Sequence, residues 1–149
     1  MSLRLLLRLT WQALALLCCL SGFSVVASAA PLDDAQSHFK AIASGDVAAV
    51  LQGYAEQAEL QWGGGPLDGR YVGADAIRTA WTRFAQAQGP LKASVTELDE
   101  AANPKGSTVT ARVLFEGKAP IRVRYVLTYR AGLLVQETWQ VDAKPVQVP

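Results

Sequence analysis

Thiol chemistry is the first thing this sequence lacks. Its 149 residues hold two cysteines, Cys18 and Cys19, both close to the start. Histidine is scarcer still, with His38 alone. One histidine and no later cysteine argue against a zinc site, and no metal or other cofactor is expected. A surplus of charge is missing too, since 14 basic residues face 13 acidic ones. Near-neutrality removes the electrostatic case for binding nucleic acid or an anionic membrane. Gly63-Gly64-Gly65 lacks the following Gly-Lys-Ser/Thr of a phosphate-binding loop, which disfavours a nucleotide. No nucleophile-elbow pattern points to a triad built on His38.

The one long apolar run is also too short to be a membrane span. Ala13 to Val26 is almost wholly apolar and follows a start carrying Arg4 and Arg8. Its roughly fourteen residues fall short of the ~20 that cross a bilayer. Ala27-Ser28-Ala29 then supplies small residues where a signal peptidase reads. This order is that of a secretory signal. Residues 1–29 are therefore expected to be a signal peptide cleaved after Ala29, leaving residues 30–149 as one periplasmic or secreted domain without a membrane segment. Leu16-Leu17 before Cys18 do not suit lipid attachment. Loss of Arg4 and Arg8 leaves 12 basic against 13 acidic residues, a charge of about −1.

What is present is periodicity. Asp33 and Asp34 suit the positive end of a first helix with Leu32, Ala35, Phe39 and Ile42 on one face, and Gly45 ends it. Asp46 caps a second helix whose stripe is read as Val47, Val50, Leu51 and Tyr54. Ala58 to Trp62 is a short strand, closed by Gly63-Gly64-Gly65-Pro66, and Gly69 to Gly73 is a second extended piece. A third helix spans 74–88, with Ile77, Trp81 and Phe84 inward.

After Pro90 the period becomes two. Strands are expected over 91–98, 108–116, 121–130 and 133–141, with turns at Asn103-Pro104-Lys105-Gly106, Gly117 to Pro120 and Ala131-Gly132. Val109, Ala111, Val113 and Phe115 share one face, as do Val123, Tyr125, Leu127 and Tyr129. On the last strand Leu133, Val135, Trp139 and Val141 are read on one face, with Glu137 among them. Helices followed by strands give an α+β fold, in which three helices cover the apolar face of a curved antiparallel sheet.

Gly45-Asp46 between two short helices, the strand ending in Trp62, the stretch Asp68-Gly69-Arg70-Tyr71-Val72-Gly73 and the helix carrying Ala76-Ile77, Trp81 and Phe84 together resemble the nuclear transport factor 2-like superfamily. Its members include ketosteroid isomerases, scytalone dehydratase and SnoaL-type polyketide cyclases. The resemblance covers residues 32–142. It implies a cone-shaped, cystatin-like α+β barrel with an apolar pocket between sheet and helices, often dimeric through the outer sheet face. Chemistry carries over poorly. The position of the isomerases' general-base aspartate falls on or beside Trp62, and that of the oxyanion-donating tyrosine on His38. The protonated aspartate falls near Tyr125 or Val126, so the two tuned carboxyl groups of those enzymes are not evident.

Two groups remain as catalytic candidates. A carboxylate on an apolar face, such as Glu137, costs several kcal/mol unless paired or protonated, which marks a base or a ligand contact. His38 lies at the edge of the first helix's apolar stripe. It reads either as a proton carrier or, the reading favoured from sequence, as a half-exposed boundary residue. Tyr54, Trp62, Tyr71, Trp81, Phe84, Tyr125 and Trp139 are the expected lining of a pocket for a small apolar or aromatic molecule. Binding without reaction is the leading expectation. An isomerase, dehydratase or cyclase with Glu137 as base and His38 or Tyr125 as polariser is the second, and a module dimerising through the arginine- and threonine-bearing outer face is the third.

Overall fold

A computed structural model describes residues 30–143. The expected signal peptide and the tail from Lys144 lie outside the described residues. Helix α1 (Pro31–Ser44) starts with proline in its first turn, beside Asp33 and Asp34. It ends at Gly45, whose φ of 74° is the left-handed conformation that glycine adopts without strain. Asp46 N–H then returns to the Ala41 carbonyl at 3.0 Å. Asp46 also accepts from Ala49 N–H at 3.0 Å, capping α2 (Val47–Gln52).

The second helix is shorter than its apolar spacing suggests. Tyr54 does not complete the α2 stripe; it opens β1 (Tyr54–Gly63). The sheet outcompetes the helix here, because the Gly53 carbonyl accepts from Leu134 N–H at 2.8 Å and Tyr54 pairs with Leu134. The chain continues through β2 (Gly69–Val72), α3 (Ala74–Gln88), β3 (Lys92–Asn103), β4 (Gly106–Glu116), β5 (Ile121–Arg130) and β6 (Leu133–Val141). All four late strands stand where the period-two pattern places them, although β3 runs farther than expected.

The six strands form one curved, unclosed sheet in the order β2-β1-β6-β5-β4-β3. Neighbours are antiparallel except β1 and β6, which run parallel. Helix α1 lies on β3 and β4, while α3 lies on β1 and β2. The core fills the space between helices and sheet, with Phe39, Trp81, Phe115, Tyr125 and Trp139 almost wholly buried.

One irregularity sets the geometry of the site. Thr128 pairs with Gln136, but Tyr129 pairs with Leu134, so Val135 is an extra residue on β6. This bulge reverses the side-chain alternation on its early side. Leu134 is therefore buried and Leu133 is 42% exposed, which corrects the expectation that Leu133 and Val135 share the inner face. Glu137 and Trp139 lie beyond the bulge and keep their inward parity.

Candidate functional site

Glu137 is 0% exposed, seated on β6 between Leu60 of β1 and Leu127 of β5. An unpartnered carboxylate in this setting would cost several kcal/mol. Side chains from three other elements offset that cost. Tyr54 from β1 donates its hydroxyl to Oε2. His38 from α1 places Nε2 3.1 Å from Oε2 and 3.2 Å from Oε1. Trp81 from α3 donates Nε1–H to the Tyr54 oxygen at 3.1 Å. The result is a chain of donors, Trp81 to Tyr54 to Glu137, closed by His38 on the other side. His38 is only 7% exposed, so it is an interior residue and not the half-exposed one favoured from sequence. The dense apolar packing of α1 on the sheet carries it inward, and Glu137 makes that burial tolerable.

Three phenols surround the carboxylate as neutral groups. Burial first, then the negative charge of Glu137, pushes the Tyr54 hydroxyl well above the ordinary phenol range. The same two causes raise Tyr125, which is completely buried. Tyr129 is raised by burial, by Glu137 and by Asp34. Tyr125 Oη and Trp139 Nε1 have no hydrogen-bond partner among the described residues.

A cleft of about 390 Å³ opens beside this network. Asp34, Ser37 and His38 of α1, Val50 of α2, and Tyr129 and Leu134 of the β5–β6 hairpin line it. His38 is the only member of the Glu137 hydrogen-bond network on this wall. With Nε2 facing Glu137, Nδ1 has no protein partner among the described residues. Asp34, Ser37 and His38 fall at i, i+3 and i+4 on α1, the spacing of one helical face. That spacing was a readable signal for the cleft, and sequence reasoning missed it; nothing local announced Tyr129.

The other end of the interior is aromatic. Trp139 stacks on Trp62 at 4.4 Å between ring centres and on Phe115 at 5.4 Å. Trp81, Phe84 and Trp139 meet edge to face at 5.1 to 5.8 Å. These rings fill the space between sheet and α3, where a cavity was expected. Their outer edges border a second cleft of about 430 Å³, lined by Trp62, Leu67, Phe84, Ile121, Trp139 and Val141, with Arg83 also on its wall. The loop beside it is braced by Gly64 N–H donating to Asp68 at 2.6 Å and by Trp62 Nε1–H donating to the Gly64 carbonyl at 3.1 Å. Of the seven expected lining aromatics, Trp62, Phe84 and Trp139 reach this cleft. Tyr54, Trp81 and Tyr125 belong to the buried interior, and Tyr71 donates its hydroxyl to the Leu67 carbonyl at 2.7 Å.

On the outer sheet face Arg112 pairs with Glu97 at 2.5 Å and, at 3.8 Å, with Asp142, which Arg124 also approaches. Among the described residues no group of three acidic, histidine or cysteine side chains converges to hold a metal, and no helix is long and apolar enough to cross a membrane.

Comparison with known proteins agrees with this architecture. The family model for a SnoaL-like domain matches residues 35–136. A nuclear transport factor 2-like protein of unknown function from Pseudomonas putida KT2440 superposes with a TM-score of 0.67 at 17% identity, covering 83% of this chain and 100% of that one. A protein from Novosphingobium aromaticivorans described as a candidate aromatic ring hydroxylase gives 0.62 at 22% identity, covering 78% of this chain and 88% of that one. A cystatin-like protein of unknown function from Nostoc punctiforme PCC 73102 gives 0.62 at 13% identity, covering 79% and 92%. No protein of curated function matches in sequence. Identities this low speak for the fold alone.

Proposed function

The chain belongs to the SnoaL-like domain family, within the nuclear transport factor 2-like superfamily, and on that footing we propose that it acts on a small molecule by acid–base chemistry through His38. The observation that carries this reading is the position of His38, held by a sealed carboxylate on one side and lining a cleft on the other. Glu137 accepts Nε2–H, which fixes the tautomer and leaves the Nδ1 lone pair as the proton acceptor. When Nδ1 takes a proton, the adjacent carboxylate stabilises the imidazolium. Tyr54 and Trp81 hold the carboxylate in place and act as positioning residues. The neutral Tyr129 hydroxyl on the same wall supplies a donor for charge that develops on an oxygen of the substrate. These roles exchange those expected from sequence, because Glu137 is wholly buried while His38 lines the cleft.

Proton abstraction next to a carbonyl can be read without knowing the natural substrate. A panel of small ketones in deuterated buffer, followed by NMR, should show exchange that the wild-type chain accelerates. His38→Gln should abolish the acceleration, and Glu137→Gln should reduce it at least tenfold. Equal rates for wild type and His38→Gln across the panel would sink the proposal.

A second reading is binding without reaction in the aromatic cleft. Its support is the apolar wall of Trp62, Phe84, Ile121 and Trp139 around about 430 Å³, a size suited to a one- or two-ring molecule. Quenching of tryptophan fluorescence by naphthalene, lost in Phe84→Ser, tests it.

A further inference from the structure

The His38 cleft also carries a charge preference. Among the described residues its lining includes Asp34 and no lysine or arginine. Among the described residues neither Asp33 nor Asp34 forms an ion pair with a cation. Behind the wall stands the Glu137 carboxylate, reached through His38. Burial and then the neighbouring Asp33 raise the Asp34 carboxyl, and burial first, then the charges of Glu137 and Asp34, raises the Tyr129 hydroxyl. Independently of charge, Tyr129 is only 5% exposed, lines the cleft, and has no protein partner for its hydroxyl among the described residues.

We infer that the cleft takes a small primary amine, bound as its ammonium ion against Asp34 with the Tyr129 oxygen as a second acceptor. Val50 and Leu134 on the same wall then receive the carbon skeleton. An ammonium has three donors and no acceptor, which matches a wall supplying a carboxylate, a phenol oxygen and, in the tautomer set by Glu137, the Nδ1 lone pair. A carboxylate or phosphate would meet Asp34 head-on with no cation on the lining to compensate. The tautomer is the single element that this inference takes from the proposed acid–base role.

Three probes of one shape separate charge from fit, namely benzylammonium, benzyl alcohol and benzoate. Titrated into the full domain and followed by amide NMR, benzylammonium should shift Ala49, Gly53 and Leu134 and bind at least tenfold tighter than benzyl alcohol. Benzoate should leave those signals unmoved. Asp34→Asn is half-buried at the helix start and not expected to unfold the chain; it should reduce benzylammonium to the affinity of the alcohol. Equal binding of amine and alcohol, or an undiminished preference in Asp34→Asn, overturns the inference. The two proposals fail separately. Amine preference that persists while the chain shows no proton exchange overturns the acid–base reading alone, and exchange on neutral ketones without amine preference overturns this one alone.

Discussion

The Tyr54 hydroxyl donates to Glu137 Oε2 while accepting from Trp81 Nε1, so a single phenol joins the sheet's buried acid to α3. Removing that oxygen costs a hydrogen bond to a charged acceptor and strands the indole N–H. Tyr54→Phe should therefore lower stability by about 2 to 4 kcal/mol in urea unfolding. Tyr71→Phe, which loses a bond to the Leu67 carbonyl in a half-buried position, should cost about 1 kcal/mol or less. Equal losses in the two variants would mean that the buried network contributes nothing special.

Raised phenol values make a definite statement about alkaline stability. In the unfolded chain tyrosine ionises near pH 10, whereas Tyr54, Tyr125 and Tyr129 resist ionisation in the fold. A folded-state value above the unfolded one means that stability is intact below about pH 10 and falls as pH rises beyond it. Absorbance at 295 nm should show these three phenolates appearing together with loss of tertiary structure. Their ionisation in a chain that remains folded would contradict the arrangement.

Gly106 opens β4 at a φ of 146°, and a Cβ placed there would run into the Tyr129 carbonyl. That carbonyl also accepts from its neighbour Arg130. Gly106→Ala should cost about 2 to 4 kcal/mol and disturb the end of β5 that carries Tyr129 to the cleft. Thermal unfolding and the NMR signals around Tyr129 report both effects.

The signal peptide expected over residues 1–29, cleaved after Ala29, predicts a mature chain that begins at Ala30. Intact-mass measurement of the protein recovered after export should give residues 30–149, and a mass that retains residues 1–29 would contradict export with cleavage.

Much of this was legible in the residues. Gly45-Asp46, the Ile77–Trp81–Phe84 stripe and the alternation of β4 and β5 are local patterns, and local physics decides them. Glu137 was legible as an inward acid because its parity relative to Trp139 depends only on two residues of strand. The bulge at Val135 was not, since it reflects the match between β5 and β6 and not a preference of Val135. Tyr54 misled because a tyrosine seven residues after Val47 fits a helix as well as it fits the start of a strand, and only the pairing with Leu134 settles the choice. The contact of His38 with Glu137 spans 99 positions, and no periodicity reaches that far.

Strand β1 has the last strand, β6, as its parallel neighbour. A ribosome releases Tyr54 83 residues ahead of Glu137, about 4 to 17 s at ordinary elongation rates. Throughout that interval the hydroxyl and the imidazole lack the carboxylate that they meet in the fold. The chain can therefore complete neither its sheet nor its polar centre until β6 and Glu137 have emerged. A nascent chain of this topology closes its sheet only when its most distant strand partners meet.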